Sequence, residues 1–218
     1  MKATPGIPNG TPLSKEEIND LPMLAYEGEV LLVQTEGELG RALARLKGET
    51  LLGFDTESRP SFKKGKVYPT SLIQLAAADV AVLIRINQVP FSEGLAALLA
   101  DPDVIKAGVA IREDMRSLQK LHAFTPAGLA DLADMAKKRG IGAQGLRTLA
   151  AHLMGVRISK AAQCSNWAKK TLTPQQIRYA ATDAWDRPGT VPADAGTRRP
   201  VSRSAALAAP FPGPRRIA

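Results

Sequence analysis

Residues 51–57, Leu-Leu-Gly-Phe-Asp-Thr-Glu, run an apolar strand straight into two carboxylates, and that junction restricts the fold more than any other stretch of the chain. Side chains on a strand alternate faces, so Asp55 and Glu57 share one face, separated by roughly 7 Å along the backbone. Two like charges at that spacing repel, and an ionised carboxylate in a dry setting is costly unless it is paired or bound to a cation. One reading is half of a divalent-cation site carried on a sheet. The other is a strand that ends at Phe54 and passes into an acidic, solvated turn. These seven residues alone leave both open.

The rest of the composition narrows the setting. A chain of 218 residues, 44% of them hydrophobic, suits one large domain or a smaller one with tails. No run approaches the roughly 18 apolar residues that cross a bilayer, and the first twenty residues lack a signal-peptide stretch, so a cytoplasmic location is expected. The lone Cys164 excludes an internal disulfide, and His122 and His152 are too far apart for zinc spacing. Any metal must therefore be held by oxygen. The net charge of +8 favours a polyanionic partner, nucleic acid foremost.

Residues 1–24 hold four prolines and read as an arm over the surface, with a short capped turn at Ser14-Lys15-Glu16-Glu17. Val30–Val33 reads as a strand, and Leu39, Leu43 and Leu46 mark an amphipathic helix reaching Lys47. After the acidic strand, Lys63, Lys64, Gly65 and Lys66 form a turn that suits either a phosphate-facing loop or a solvated hairpin. Ser71–Ala77 and Val80–Ile86 then suggest an antiparallel meander. A helix over Phe91–Leu99 and a buried strand over Val104–Val109 complete an α/β or α+β pattern.

The spacing predicts a further helix over Ile111–His122, with Arg112, Glu113, Arg116 and Lys120 on one arc. Asp114 falls inside the opposite, apolar arc. A buried-side aspartate marks either a site or a stripe-edge acid reaching water or an arginine. His122 reads as a packed or edge imidazole, and Asp131 and Asp134 as a solvated helical face. Gln144–Met154 reads as an amphipathic helix ended by Gly155. Thr173-Pro174-Gln175-Gln176 is a specific helix start, with Thr173 as N-cap, Pro174 in the first position and Gln176 closing a capping box. On that helix Ile177, Ala180, Ala181 and Ala184 make a packing face, while Tyr179 and Asp183 stack four apart on another.

Strand Asp-x-Glu, helix Asp and helix Tyr-x-x-x-Asp, in that order, resemble the tyrosine branch of the DEDD superfamily of 3'-5' exonucleases, which includes ribonuclease D and the Werner-type exonuclease domain. Ser165-Asn166-Trp167 through Thr173-Pro174 into Arg178–Trp185 is similar to bacterial members. The resemblance covers about Val30–Trp185. It implies a ribonuclease H-like α/β fold with a central mixed sheet, and two divalent cations, Mg²⁺ or Mn²⁺, held by Asp55, Glu57, Asp114 and Asp183. It further implies that Tyr179 orients the attacking water and that the substrate is a single-stranded 3' end of DNA or RNA. Arg178 stands where the sister branch carries a histidine, so only the tyrosine branch fits. Around the first motif, Phe54 and Thr56 are expected nucleotide contacts that equally suit sheet packing, and Trp167 is either a base-stacking residue or a buried one.

Three units are expected: an arm over 1–24, an exonuclease domain over 25–186, and a disordered tail over 187–218. From Asp186 onward the chain holds six prolines, three glycines, seven alanines and six arginines, which cannot bury a core and is also what a shifted reading frame yields in a GC-rich gene. Pro188 must stop the last helix, and the C-terminal helical domain of ribonuclease D is not expected to follow. A break so close to Asp183 should let that helix fray. This leaves a second expectation, an exonuclease-fold protein that binds nucleic acid but no longer cleaves it.

Overall fold

The structure is a computed structural model that describes residues 13–142 and 145–185. The expected tail, residues 1–12 of the arm and the first residue of the predicted Gln144–Met154 helix lie outside the described residues.

The acidic strand is central. Strand β1 (Met23–Leu24) precedes β2 (Glu29–Val33), β3 (Leu51–Ser58), β4 (Thr70–Ala76), β5 (Val80–Ile84), β6 (Ile105–Gly108), β7 (Leu129–Asp131) and β8 (Arg157–Ile158). Six of them form one sheet in the order β2-β5-β4-β3-β6-β7. The predicted meander is present: β3 pairs antiparallel with β4, and β4 with β5. On its other side β3 pairs parallel with β6, and β6 with β7. The result is the expected mixed sheet. Asp55 stands opposite Gln74 and Glu57 opposite Leu72 in the register.

Period-2 alternation sorts the two faces. Phe54, Ile73, Leu75, Val82 and Ile84 pack in one core with Leu39 of α2 (Glu36–Arg45), Leu95 and Leu99 of α3 (Glu93–Ala100), and Ile111, Met115 and Leu118 of α4 (Ile111–Gln119). Leu72 and Leu83 pack on the opposite face with Ala180 of α7 (Pro174–Trp185) and with Trp167 and Leu172 of the segment leading into it. Asp55 and Glu57 belong to the α7 face, and Thr56 to the α4 face.

Helix starts follow the local chemistry. In α2, Thr35 and Glu38 cap each other reciprocally. At α7 the predicted capping box is present: Gln176 N–H donates to Thr173 Oγ1 at 3.2 Å and Thr173 N–H to Gln176 Oε1 at 3.0 Å. Helix α6 (Leu146–Met154) ends at Gly155 with φ +65°, a left-handed position that glycine fills without Cβ strain. Ala110, the residue before α4, is also left-handed at φ 55°.

Several expectations need correction. Strand β7 was not foreseen, and Asp131 does not lie on a solvated helical face. It ends β7, is only 9% exposed, and caps α5 (Leu132–Lys138) by accepting from Ala133 and Asp134 N–H. Helix α4 stops at Gln119, short of the expected end at His122, and Leu121 beyond it is 42% exposed. His122 stacks on Phe91 with ring centroids 5.0 Å apart, as an edge imidazole.

The last described turn of α7 is pinned, contrary to the expected fraying. Trp185 donates its indole N–H to the Ala78 carbonyl at 2.9 Å and packs on the Tyr26 ring at 5.3 Å. Thr182 Oγ1 accepts from Tyr26 N–H at 3.0 Å. Tertiary contact thus supplies what a twelve-residue helix cannot supply alone.

Candidate active site

The end of β3 opens into a cleft of about 770 Å³ that contains Asp55, Thr56, Glu57, Tyr179 and Asp183. Strand β3 delivers the first two acids on the α7 face. Helix α7 delivers Tyr179 and Asp183 one turn apart against the same face, because Ala180, Ala181 and Ala184 are all fully buried and let the helix lie close on the sheet.

The electrostatics show that these groups face common space. Burial drives the Tyr179 hydroxyl far above the ordinary tyrosine range, and the Asp183 charge and its hydrogen bond add to that. Glu57 and then Asp55 push the same way. The phenol therefore stays protonated and acts as a donor, with Asp183 as its partner.

Asp114 reaches the site differently. It sits in the first turn of α4, where the helix dipole favours a negative charge, and it accepts the Thr56 hydroxyl hydrogen bond at 2.7 Å. Thr56 lies between the two strand acids, so this bond ties the fourth carboxylate to the same three-residue stretch. The apolar arc around it is satisfied by Ile111, Met115 and Leu118, all buried.

Two sequence-predicted contacts fall elsewhere. Phe54 is fully buried in the α4-side core and Trp167 is fully buried beneath the Tyr179 ring, 6.0 Å between centroids. Neither ring offers a face to a nucleotide. Phe54 packs between the sheet and α4, and Trp167 between the sheet and α7. Thr56 does line the cleft, with its hydroxyl given to Asp114.

The sequence reading missed the basic part of the cleft lining, Lys15, Arg147 and Lys160, with Gln163 beside them in the same cleft. Lys15 arrives on α1 (Lys15–Asp20), whose Ile18 is 4% exposed. The arm is stitched down by parallel pairing of β1 with β8 and by Arg147 donating to Asn19 Oδ1 at 2.5 Å. No local signal marks these cations, because only tertiary contact brings them beside the acids.

The donor set is oxygen throughout, which suits hard divalent cations rather than zinc or copper. Among the described residues no three His, Cys, Asp or Glu side chains are already gathered as a group that could hold a metal ion. The carboxylates fit such an ion in type; Asp55, Glu57 and Asp183 line one cleft, and Asp114 is tied to its edge through Thr56.

Sheet order, flanking helices and the placement of the acids define a ribonuclease H-like exonuclease domain. The exonuclease (EXO) domain of Aedes aegypti Nibbler superposes with a TM-score of 0.67 at 25% identity, covering 74% of this chain and 86% of its own. The profile of the 3'-5' exonuclease family matches residues 30–186, and the chain belongs to that family. Ribonuclease D of Gluconacetobacter diazotrophicus is 34% identical over 161 residues, 70% of this chain and 39% of that protein. The bifunctional 3'-5' exonuclease/ATP-dependent helicase WRN of Mus musculus is 30% identical over 177 residues, 77% of this chain and 13% of that protein. The chain thus spans well under half the length of these two relatives.

Proposed function

We propose that this protein is a divalent-metal-dependent exonuclease that releases nucleotides from the 3' end of a single-stranded DNA or RNA. The observation that carries this reading is one cleft lined both by the acids Asp55, Glu57 and Asp183 with the Tyr179 hydroxyl and by the cations Lys15, Arg147 and Lys160. Acids alone would repel a phosphodiester. The basic side chains offset that repulsion and hold the phosphate over the carboxylates.

In this reading Asp55, Glu57, Asp114 and Asp183 would hold two divalent cations, Mg²⁺ or Mn²⁺. When bound, such a pair lowers the pKa of a water and neutralises charge on the phosphate and the leaving oxygen. The chain's own residues do the rest. Tyr179, kept protonated and bonded to Asp183, orients the attacking water through its hydroxyl. Thr56 fixes the Asp114 carboxylate. The main chain at 54–56, rather than the Phe54 ring, borders the terminal nucleotide. The domain spans 25–186 with residues 1–24 as its arm and 187–218 as a tail, and the lone Cys164 and nucleic-acid substrate suit the cytoplasm.

The binder-only alternative rested on the truncated last helix, and the anchoring of Trp185 to Ala78 supports the enzyme reading over it. A 5'-labelled single strand incubated with Mg²⁺, with Mn²⁺ and with EDTA tests the reading. We expect a ladder shortening from the 3' end with either metal and none with EDTA. Asp55→Asn should abolish the ladder and keep strand binding, since the basic surface is untouched. Cleavage near the wild-type rate in that variant would overturn the site.

A further inference from the structure

Residues 59–69, which join β3 to β4, form a surface that the cleft chemistry does not use. They carry Arg59, Lys63, Lys64 and Lys66 and no acid. None of the ion pairs among the described residues uses these four cations. Phe62 is 89% exposed and Val67 85%, in a segment that follows a strand in which Leu52 and Phe54 are fully buried. Among the described residues these are the two most exposed large hydrophobics, far beyond Met23 at 49%, and they fall in the same loop.

The loop is nevertheless built. Arg59 and Lys66 both lie over the Tyr68 ring, at 4.8 and 5.0 Å from its centroid. Lys66 N–H donates to the Lys63 carbonyl at 3.2 Å, closing a turn in which Gly65 takes φ +79°. A hollow of about 410 Å³ lies among Arg59, Phe62, Lys63, Lys66, Tyr68 and Asn166. Tyr68 thus organises two cations while Phe62 is left standing free beside them.

We propose that this loop is the landing platform for the single strand upstream of its 3'-terminal nucleotide, with a base stacked on Phe62 and phosphates on Lys63 and Lys64. The proposal rests on the exonuclease reading and extends it. Arg59 lies only two residues beyond Glu57, roughly 7 Å of extended chain, about one nucleotide step from the acids. A strand whose end occupies the cleft and that leaves past Ser58 meets this surface next. Positive charge beside an open aromatic is the pairing that single strands select, because every base has a stacking face and every linkage a charge. The loop takes the shared chemistry of DNA and RNA, with no preference between them.

The test uses the full chain and two probes of different length. Binding of a fluorescent 12-nucleotide strand, in ribo and deoxyribo forms, is followed by anisotropy in EDTA over a range of salt, and metal-dependent cleavage is followed on that strand and on a dinucleotide. Phe62→Ala should weaken 12-mer binding about tenfold, within the range for one base stack. Lys63→Ala with Lys64→Ala should lower the salt slope by about 1.4, two single-strand phosphate contacts. Cleavage of the dinucleotide, whose single upstream nucleotide reaches no further than Arg59, should be unchanged in both variants. Unaltered 12-mer binding overturns the platform, and so does a parallel loss on the dinucleotide, which would mean that the loop only supports the fold. If the wild type cleaves neither probe, the exonuclease reading fails, while the binding arm still decides whether the loop holds a single strand.

Discussion

Thr56 donates its hydroxyl to Asp114 at 2.7 Å, so the strand that presents two acids on one face uses its other face to hold a third. Period-2 alternation makes this possible: Asp55 and Glu57 look toward α7 while Thr56 between them looks toward α4. The two helices that carry the remaining acids are thereby indexed to a single tripeptide.

That bond predicts a separable phenotype. Thr56→Val should raise the metal concentration needed for half-maximal rate and lower the rate about tenfold, at a cost of about 1 kcal/mol in stability. Thr56→Ser, which keeps the hydroxyl, should restore both. Metal titrations of cleavage with parallel melts check this. An unchanged titration in the valine variant would show that Asp114 takes no part in metal binding.

Removing only the phenol oxygen tests the orientation of water. Tyr179→Phe should cost about 10²-fold in rate with little change in melting. Because burial and Asp183 push the hydroxyl upward, it remains protonated across the working range. Any alkaline limb below pH 10 in the pH–rate profile should therefore survive in the variant, and its disappearance would show that Tyr179 itself titrates there.

The anchoring of α7 gives a third expectation. Trp185→Ala removes a hydrogen bond to Ala78 and a ring contact with Tyr26, and should destabilise the protein by about 2 kcal/mol. Since Asp183 lies two residues upstream, the variant should also need more metal. Trp185→Phe, which keeps the ring contact, should fall between. Melts and metal titrations on the three proteins distinguish these outcomes.

Lys106 sets a pH dependence remote from the cleft. It is fully buried on β6 and donates to the Leu98 and Asp101 carbonyls at 3.2 and 2.7 Å. Burial lowers its pKa to about 8, against an opposing pull from the Asp101 charge. The unfolded chain holds this proton to about pH 10.4, so between pH 8 and that value the unfolded state binds more protons and stability grows as pH rises. Relative to Lys106→Met, the wild type should gain on the order of 2 kcal/mol across that window. Denaturant melts at pH 7.5 and 10 check it; a falling difference would overturn the assignment.

What was legible in the sequence was what local chemistry writes. The Asp-x-Glu strand, the Thr173–Gln176 capping box, the Gly155 stop and the misplaced Asp114 each state their role within a few residues. Phe54 and Trp167 were ambiguous because an aromatic beside a site reads the same whether its face is open or packed, and burial decided it. Asp131 was misplaced because a three-residue strand has too few positions to show a period. The left-handed Ala110 before α4 gives no sign in its residue type. Lys15, Arg147 and Lys160 could not be found at all, since nothing near any of them in sequence says that they will meet.

That last meeting has a kinetic side. The stitches that seat the arm join positions far apart in the chain: Leu13 to His152 across 139 residues, Arg157 to Leu21 across 136, and Arg147 to Asn19 across 128. Loops of that span close late, because their ordering entropy must be met before any contact rewards it. During synthesis the β3 acids emerge long before residues 147–160 exist to complete the basic part of the lining. A nascent chain therefore carries the acids without the cations that would hold a phosphate over them, and the finished cleft arises only once the two ends of the domain have found each other.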